Sequence, residues 1–262
     1  MKRNKQLLIT AFVVLITLII LVLFLYFFKN NFGSSEVIGN LHTHTTCSDG
    51  TESYDSMIEE ALRLKMDFIA ITDHRYCEET YKNCIAETRL LCIYGQEINV
   101  RTYENNVQKD MHVLALDIPP GNTTELFPEI FSDLQVINVR NNIVASDPTI
   151  VVKKIHELGG FAIAAHPLYS MFHISEYYLN SSGFDAMECF KDEYPDIVSE
   201  QKLVLSREDL PCMYSSDAHK VNELKRTYSR CVIAVNVEAS GSKLKFDAIK
   251  KAILEGNCKR YE

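Results

Sequence analysis

The sequence predicts an α/β domain of barrel size that follows one apolar N-terminal segment. The chain has 262 residues, 47% of them hydrophobic, and residues 7–28 carry no charge. After residue 36, apolar runs of strand length alternate with segments of helical periodicity, which is typical of a parallel sheet covered by helices. Seven or eight such units in about 225 residues are enough for a single barrel. The predicted parts are residues 1–6, a span at 7–28, a linker at 29–36 and one domain at 37–262.

The apolar segment at 7–28 predicts a single transmembrane helix. At about 1.5 Å per residue, its length reaches roughly 33 Å, enough to cross a hydrocarbon core of about 30 Å. A cleaved secretory signal is the alternative, but signal cores run about 7 to 15 residues and end at a small-residue site, which KNNFGSSE does not provide. Three basic residues precede the segment and only Lys29 follows it closely. We therefore expect a cytoplasmic N-terminus and the large domain outside the cytoplasm.

The predicted outer domain is acidic. The chain carries 27 basic and 35 acidic residues, a net charge of −8. Four of the basic residues and none of the acidic ones lie in the first 29 positions, which leaves 23 basic against 35 acidic residues, a net charge of −12. Because non-specific binding to nucleic acid needs a clustered cationic surface, we expect no stable nucleic-acid partner. Through the N-terminal helix, the membrane is the expected partner.

Eight cysteines lie in the predicted outer domain. An even number in such a compartment allows disulfides. Since no C-x-x-C occurs, however, buried free thiols are the simpler interpretation. Cys47 is expected to pack below the end of a strand, with proximity to a metal as the alternative.

The elements after the linker can be assigned in order. Eight strands are predicted, at VIGNLHTH, DFIAITDH, CIYGQEINV, MHVLALDI, GFAIAAHP, FDAMECF, PCMYSSDAH and CVIAVNV. Helical periodicity is clearest in YDSMIEEALRLK, TIVVKKIHELGG and FDAIKKAILEGN. The stretch at 119–147 mixes turn residues with apolar ones, and no element is assigned there.

Residues that can coordinate a metal fall at or near the ends of these strands. In a barrel of parallel strands the carboxyl ends converge on one face, where such folds build their active sites. The candidate ligands are His42, His44, Asp49, His74, Glu97, His112, His166, Asp217 and His219.

The number and type of donors predict more than one ion. His42 and His44 are two residues apart, as are Asp217 and His219, and such pairs on a strand project to the same side. One ion takes about four to six ligands, so nine donors predict two or three divalent ions with a carboxylate bridging at least one pair. Imidazole and carboxylate donors without thiolates suit Zn, Mn or Fe and do not distinguish among them.

These motifs carry a family resemblance. HTHTTCSDG, ITDH, the Glu97 of GQEI, His112, the HP at 166 and 167, and SDAH resemble the ordered motifs of the PHP domain, named for polymerases and histidinol phosphatases. The resemblance covers residues 37–220. It implies a distorted seven-stranded β/α barrel, a TIM-like (β/α)7 fold, with a di- or trinuclear metal centre that hydrolyses phosphoesters.

The resemblance also implies how the ions are shared. It places His42, His44, Glu97 and Asp217 around one ion. Glu97 would bridge to a second ion held by His112 and His166. The third ion would be held by Asp49, His74 and His219.

The expected function is a metal-dependent hydrolase of a small phosphomonoester or phosphodiester. The expected nucleophile is a metal-bound water, with no nucleophilic side chain assigned. The interval between Glu97 and His112 is short and resembles a compact branch of the family that includes hydrolases of non-phosphate esters. Hydrolysis of a carboxylic ester or amide is therefore one alternative, and a non-catalytic metal-binding membrane module is another.

Residues near the ligands are weaker candidates. Arg75, Lys220 and Tyr169 are candidates to contact the substrate, with a solvated loop side chain as the alternative for each. Asp73 could orient a ligand histidine or make a buried structural hydrogen bond. Of the remaining histidines, His156 is expected to be structural because its helix lies outside the barrel, and His173 is closer to the mouth.

Overall fold

The computed structural model describes residues 12, 14–24, 34–104, 107–121, 123–126, 144–145, 147–169, 171–189, 209–225, 231–236 and 244–260. The chain divides into two compact units. One unit comprises Met1–Ser35 and Val235–Leu244, and the other comprises Glu36–Ala234 and Lys245–Glu262. All the predicted ligands belong to the second unit.

Strands and helices alternate along most of the chain. The strands are β1 Ser34–Asn40, β2 Phe68–Ile71, β3 Leu91–Glu104, β4 Val107–Leu116, β5 Val144–Ala145, β6 Phe161–Ala164, β7 Ala186–Glu188, β8 Cys212–Met213, β9 Cys231–Asn236 and β10 Cys258–Arg260. The α-helices are α1 Tyr54–Arg63, α2 Glu78–Ala86, α3 Thr123–Leu126, α4 Pro148–Glu157, α5 Glu176–Ser181 and α6 Phe246–Leu254, with a 3₁₀ helix at Val221–Lys225.

The described strands form one barrel-like sheet. Its order is β10-β9-β1-β2-β3-β4-β6-β7-β8, with β5 paired to β3 outside this path. Beyond β1 and β8, Thr43 and Ala218 form an isolated parallel bridge, and the His44 N–H donates to the Ala218 carbonyl at 2.8 Å. This bridge joins the carboxyl ends of β1 and β8, so the sheet is nearly closed on the side that carries the ligands.

The prediction of a parallel sheet is wrong at the fourth strand. Strand β4 is antiparallel to both β3 and β6, and β10 is antiparallel to β9. The pairs β1–β2, β2–β3, β3–β5, β6–β7 and β7–β8 are parallel. Because only two residues separate β3 from β4, a hairpin replaces the crossover helix that a parallel pair needs.

Local sequence explains the helices that cover the sheet. Helix α1 follows Ser53, whose hydroxyl accepts a hydrogen bond from the Ser56 N–H at 3.2 Å, and it buries Met57, Ile58 and Ala61. Helix α4 follows Asp147, whose carboxylate accepts a hydrogen bond from the Thr149 N–H at 2.8 Å. It buries an apolar face that includes Val151. Capping side chains satisfy N–H groups that lack a partner within the helix, and the apolar stripe sets which face packs on the strands.

All eight cysteines are paired, so the interpretation as buried free thiols is wrong. The disulfides are Cys47–Cys77, Cys84–Cys92, Cys189–Cys212 and Cys231–Cys258. Partners that are 8 to 30 residues apart in sequence have Cα atoms 5.2–6.1 Å apart, within the range that a disulfide requires. The fold brings them together by placing strands, strand-end loops and, for Cys84–Cys92, helix α2 and strand β3 side by side.

The N-terminal segment is described in part. Residues 14–24 form a helix whose apolar side chains are exposed, such as Leu18 and Leu23. Within the described residues, no helix has both the length and the apolar character needed to cross a membrane. The rest of the predicted span, residues 7–11, 13 and 25–28, lies outside the described residues. The last three residues of the predicted linker belong to β1.

Candidate metal centre

The nine predicted ligands converge at one mouth of the sheet. Strand β1 ends at Asn40, so His42 and His44 lie in the segment beyond it rather than within the predicted strand. Glu97 lies in the middle of β3, and His112 lies in the middle of β4. Because the β3–β4 hairpin extends beyond the end of β6, its middle lies at the face where the parallel strands end. Strand direction was mispredicted here, yet His112 still meets the other donors.

Four donors form the most compact group. His42, His44, Glu97 and Asp217 each offer one atom within 4.8 Å of the others. The Nε2 atoms of His42 and His44 are 3.0 Å apart. The Oε2 atom of Glu97 lies 3.2 Å from His42 Nε2 and 3.0 Å from His44 Nε2. Asp217 Oδ1 lies 3.2 Å from each of these nitrogens.

These separations fit a bound cation. Donor atoms that are about 2.1 Å from an ion at the tetrahedral angle lie roughly 3.4 Å from each other, close to the 3.0–3.2 Å spacings seen here. His42 Nδ1 contacts Glu188 at 2.9 Å, so a proton on Nδ1 leaves the Nε2 lone pair directed at the group. The four side chains could therefore hold one divalent ion.

A second group shares Glu97. The other carboxylate oxygen, Oε1, lies 2.7 Å from His112 Nδ1 and 2.9 Å from His166 Nε2. The two imidazole nitrogens are 3.2 Å apart, and all three residues are buried. One carboxylate thus faces imidazoles on both sides, which is the arrangement a bridging ligand requires.

The third group differs from the one that the resemblance implies. It contains His44, Asp49 and His219, with His219 Nε2 at 3.3 Å from Asp49 Oδ2. His74 lies between this group and the first, with Nε2 3.6 Å from Asp49 Oδ2 and 3.4 Å from Glu97 Oε2. Its Nδ1 is 3.2 Å from the Glu97 carbonyl oxygen. All nine side chains therefore meet, but His44 rather than His74 completes the third group.

The backbone is strained at two of the donors. His166 has φ of 28° and Asp217 has φ of 48°, a left-handed region that residues other than glycine seldom adopt. Such strain is found where surrounding structure holds a residue for function. The backbone is also closely packed at Gly50, where a Cβ would lie 2.6 Å from the His44 carbonyl.

The carboxylates dominate the electrostatics of the centre. Burial opposes ionisation of Glu97, but the imidazoles of His112, His42 and His74 outweigh it and hold its pKa well below the usual range. Burial also opposes a charge on His44, yet hydrogen bonds to Asp217 and Glu97 raise its pKa to about 10. Sites that concentrate negative charge in this way attract protons and cations alike, so metal binding is coupled to proton release.

Glu188 is a buried carboxylate that the sequence interpretation missed. Its Oε1 faces His42 Nδ1 at 2.9 Å and accepts a hydrogen bond from the Ser215 hydroxyl. Its Oε2 accepts from the His166 N–H at 2.6 Å. A signal was present, because an acidic residue inside the apolar run FDAMECF must find partners if it is buried. Glu188 therefore positions two predicted ligands.

We expect Glu188→Gln to weaken metal binding by about 10- to 100-fold. The amide has one acceptor oxygen, so it cannot accept from His42, Ser215 and the His166 backbone together, and the His42 tautomer loses its support. Competition with a chromophoric chelator measures the affinity, and circular dichroism checks the fold. Ser215→Ala is the milder control, since it removes one hydroxyl. Unchanged affinity in Glu188→Gln would contradict this positioning role.

The weaker candidates separate into two sets. Asp73 accepts hydrogen bonds from Thr45 and Ser48 at 2.7 Å, so its carboxylate supports the loop between His44 and Asp49. His156 lies on α4, contacts Asp185 at 2.8 Å and belongs to none of the three donor groups. Both therefore have structural roles.

A cavity of about 770 Å³ opens above the donors. Arg75 and Tyr169 line it, and Arg75 Nε also donates to the Cys47 carbonyl. Lys220 is exposed and is not among the described residues that line the cavity, and its backbone N–H donates to Glu223 in the 3₁₀ helix. His173 is half-buried and is also outside that lining.

The barrel-like sheet and the three donor groups define an α/β protein whose side chains could hold metal ions at the mouth of the sheet. A family model described as the PHP domain matches residues 40–187. This is more than half of the chain, and the chain belongs to the PHP domain family.

One curated relative is the DNA polymerase/3'-5' exonuclease PolX of Bacillus subtilis. It is 24% identical over 119 residues, which are 45% of this chain and 20% of that protein. The chain thus spans about a fifth of the length of this relative. The likeness concerns one part of a larger protein.

Solved structures share the fold. A candidate metal-dependent phosphoesterase from Bifidobacterium adolescentis is 18% identical with a TM-score of 0.53, covering 83% of this chain and 96% of that one. A two-domain protein from Bacteroides vulgatus, containing a predicted PHP-like metal-dependent phosphoesterase, is 15% identical with a TM-score of 0.56, covering 87% and 65%. PsfC from Pseudomonas syringae is 13% identical with a TM-score of 0.53, covering 83% and 88%.

Proposed function

We propose that this protein is a metal-dependent phosphoesterase that hydrolyses a small phosphomonoester or phosphodiester. The observation that carries the proposal is Glu97, whose two oxygens each face a separate set of imidazoles within 3.4 Å. The groups on either side of it would hold two divalent ions, and the group around Asp49 would hold a third. Zn, Mn and Fe all suit these donors.

When bound, divalent ions in such a site activate water for attack and stabilise the charge that grows on phosphoryl oxygens. The protein's own residues bind and orient. Arg75 follows His74 directly and lines the cavity, so its guanidinium is placed to contact a phosphoryl oxygen. The Ser48 hydroxyl donates to Asp73 at 2.7 Å, and Cys47 is bonded to Cys77, so neither is set up as a nucleophile.

The test is to purify the full chain in detergent, measure bound metal, and assay phosphomonoesters, phosphodiesters and carboxylic esters with added Mn or Zn. We expect phosphoester turnover that a chelator abolishes and the metal restores. His44→Ala should lose metal and activity while remaining folded, whereas His156→Ala, on the outer helix α4, should keep both. Turnover of carboxylic esters alone would overturn the phosphoesterase assignment. Bound metal without any turnover would favour a non-catalytic binding module.

We further propose that residues 7–28 anchor the protein in a membrane and that the metal centre lies outside the cytoplasm. The uncharged segment and its basic N-terminal flank support the orientation. The four disulfides support it independently, since disulfides persist in oxidising compartments and are rare in the cytosol. Protease treatment of intact cells should digest the large domain. Digestion only after lysis would reverse the orientation.

A further inference from the structure

The β3–β4 hairpin continues past the metal centre and forms one wall of the cavity. Glu97, Asn99 and Arg101 alternate along β3, so their side chains lie on the same face. In the antiparallel register, Asn99 pairs with His112, and Arg101 pairs with Asp110. Asn99, Arg101 and Asp110 all line the cavity. The wall therefore runs outward from the metal ligands through two cross-strand pairs. We call the pair of Asn99 and His112 the inner rung and the pair of Arg101 and Asp110 the outer rung.

The outer rung is electrically balanced. Arg101 donates to Asp110 through Nε at 2.7 Å and through Nη2 at 2.8 Å, a bidentate ion pair. Both side chains are partly buried, at 17% and 33% exposed. A bidentate carboxylate satisfies two of the five guanidinium N–H groups and offsets the charge. This rung consequently offers donors and acceptors without a net charge that would select a second phosphate.

The inner rung contains a hydrogen-bond acceptor, the side-chain oxygen of Asn99. The Oδ1 atom of Asn99 is buried and has no hydrogen-bond partner among the described residues. It stands next to His112 across the hairpin, between the metal ligands and the Arg101–Asp110 pair. A buried acceptor without a partner is unfavourable unless a ligand or water supplies a donor.

The wall that adjoins the hairpin is largely apolar. The ring of Phe172 stacks on His112 with centroids 3.9 Å apart and lies 5.8 Å from the ring of Tyr169, and Tyr169 and Met171 also line the cavity. The outer rung is two residues beyond His112, or roughly 7 Å along the strand. One sugar ring covers this distance, with hydroxyl groups facing the hairpin and its apolar face against the aromatic side.

We propose that Asn99, Arg101 and Asp110 bind the alcohol part of the substrate and select an uncharged polyol, such as the sugar of a sugar phosphate. This inference rests on the proposed phosphoesterase function. The phosphoryl group would lie at the metal end near Arg75, and the polyol hydroxyls would donate to Asn99 Oδ1 and the Asp110 carboxylate and accept from Arg101. A site built to hydrogen-bond hydroxyl groups discriminates strongly against analogues that lack them.

The test compares three phosphoesters with the metal-loaded full chain: a hexose 6-phosphate, the hexose 1,6-bisphosphate and methyl phosphate. We expect the hexose monophosphate to have the highest kcat/KM, by about 10-fold or more over each of the others. Asp110→Asn leaves Arg101 without its counter-charge, so kcat/KM should fall by about 10- to 100-fold for the monophosphate and rise for the bisphosphate. The change should appear mainly in KM. Asp247→Asn, which removes an exposed charge from α6, should change neither.

A wild-type preference for the bisphosphate would overturn the proposal, as would an Asp110→Asn variant that affects all three substrates equally. Titration with the free hexose separates this inference from the proposed function. Hydrolysis of methyl phosphate without binding of the hexose would refute polyol selection and leave the phosphoesterase intact. Binding of the hexose that depends on Asp110, without hydrolysis of any phosphoester, would do the reverse.

Discussion

Glu97→Gln is expected to lower turnover by about 10³-fold or more, equivalent to roughly 4 kcal/mol in the activation barrier. Glutamine keeps the shape of the side chain but removes the charge between the imidazoles. Glu97 is 1% exposed, and its oxygens lie 2.7–3.4 Å from five histidine nitrogens. An amide offers one oxygen and directs N–H groups at the other set of imidazoles. It therefore cannot bridge two cations.

Metal content separates this effect from loss of folding. Elemental analysis of the purified variant should show fewer bound ions per chain than the wild type, while circular dichroism stays unchanged. Glu59→Gln is the matched control, because it removes the same charge from the exposed surface of α1, where Glu59 pairs with Arg89. A Glu97→Gln protein with full activity and full metal content would show that the centre does not form around this carboxylate.

The convergence of the donors could be predicted from the sequence because it depends on residue type and on one rule of topology. His42, His74 and Asp217 lie next to apolar runs, and the ends of neighbouring strands meet at one edge of a sheet. The edge at which strand ends meet does not depend on the exact boundaries of the elements. The predicted end of β1 was wrong by several residues, since His42 lies beyond the strand, yet His42 still meets the other donors.

The direction of β4 could not be read from hydrophobic periodicity. Beyond Val100, most described residues of the hairpin are polar or exposed: Arg101 and Asp110 line the cavity, whereas Tyr103 is exposed. The segment around residues 101–110 therefore resembles a polar connection rather than two paired strands. The sequence offered a local signal, since two asparagines separate Glu104 from Val107, and asparagine tolerates the positive φ that two-residue hairpin loops need.

The contacts that position the ligands could not be predicted from the sequence either, because they join segments that are distant along the chain. Glu188 meets His42 across 146 residues. The Asn40 amide donates to the Ser216 hydroxyl at 2.6 Å across 176 residues. A buried polar residue in a strand signals that a partner exists, but periodicity does not say which residue it is. Register and strand order supply that information.

Reduction of the four disulfides should have the largest effect on stability. Their sequence separations are 30, 8, 23 and 27 residues, for which loop-closure entropy in the unfolded chain contributes about 2.5 to 3.6 kcal/mol each. The four loops do not overlap in sequence, so their contributions add to about 13 kcal/mol. Whole domains are stable by about 5 to 15 kcal/mol. We therefore expect the reduced, alkylated protein to be largely unfolded at 37 °C, as measured by far-ultraviolet circular dichroism.

Single pairs should rank by loop length. Replacing both members of Cys84–Cys92 with alanine should lower the free energy of unfolding least, and replacing Cys47–Cys77 should lower it most, because these close the shortest and longest loops. Replacing Cys47–Cys77 should also lower the metal affinity, because this disulfide joins the loop that carries Asp49 to the segment that follows His74. Thiol titration of the denatured, unreduced chain is the decisive control. Eight reactive thiols would restore the free-cysteine interpretation, and none would establish that the fold itself closes all four loops.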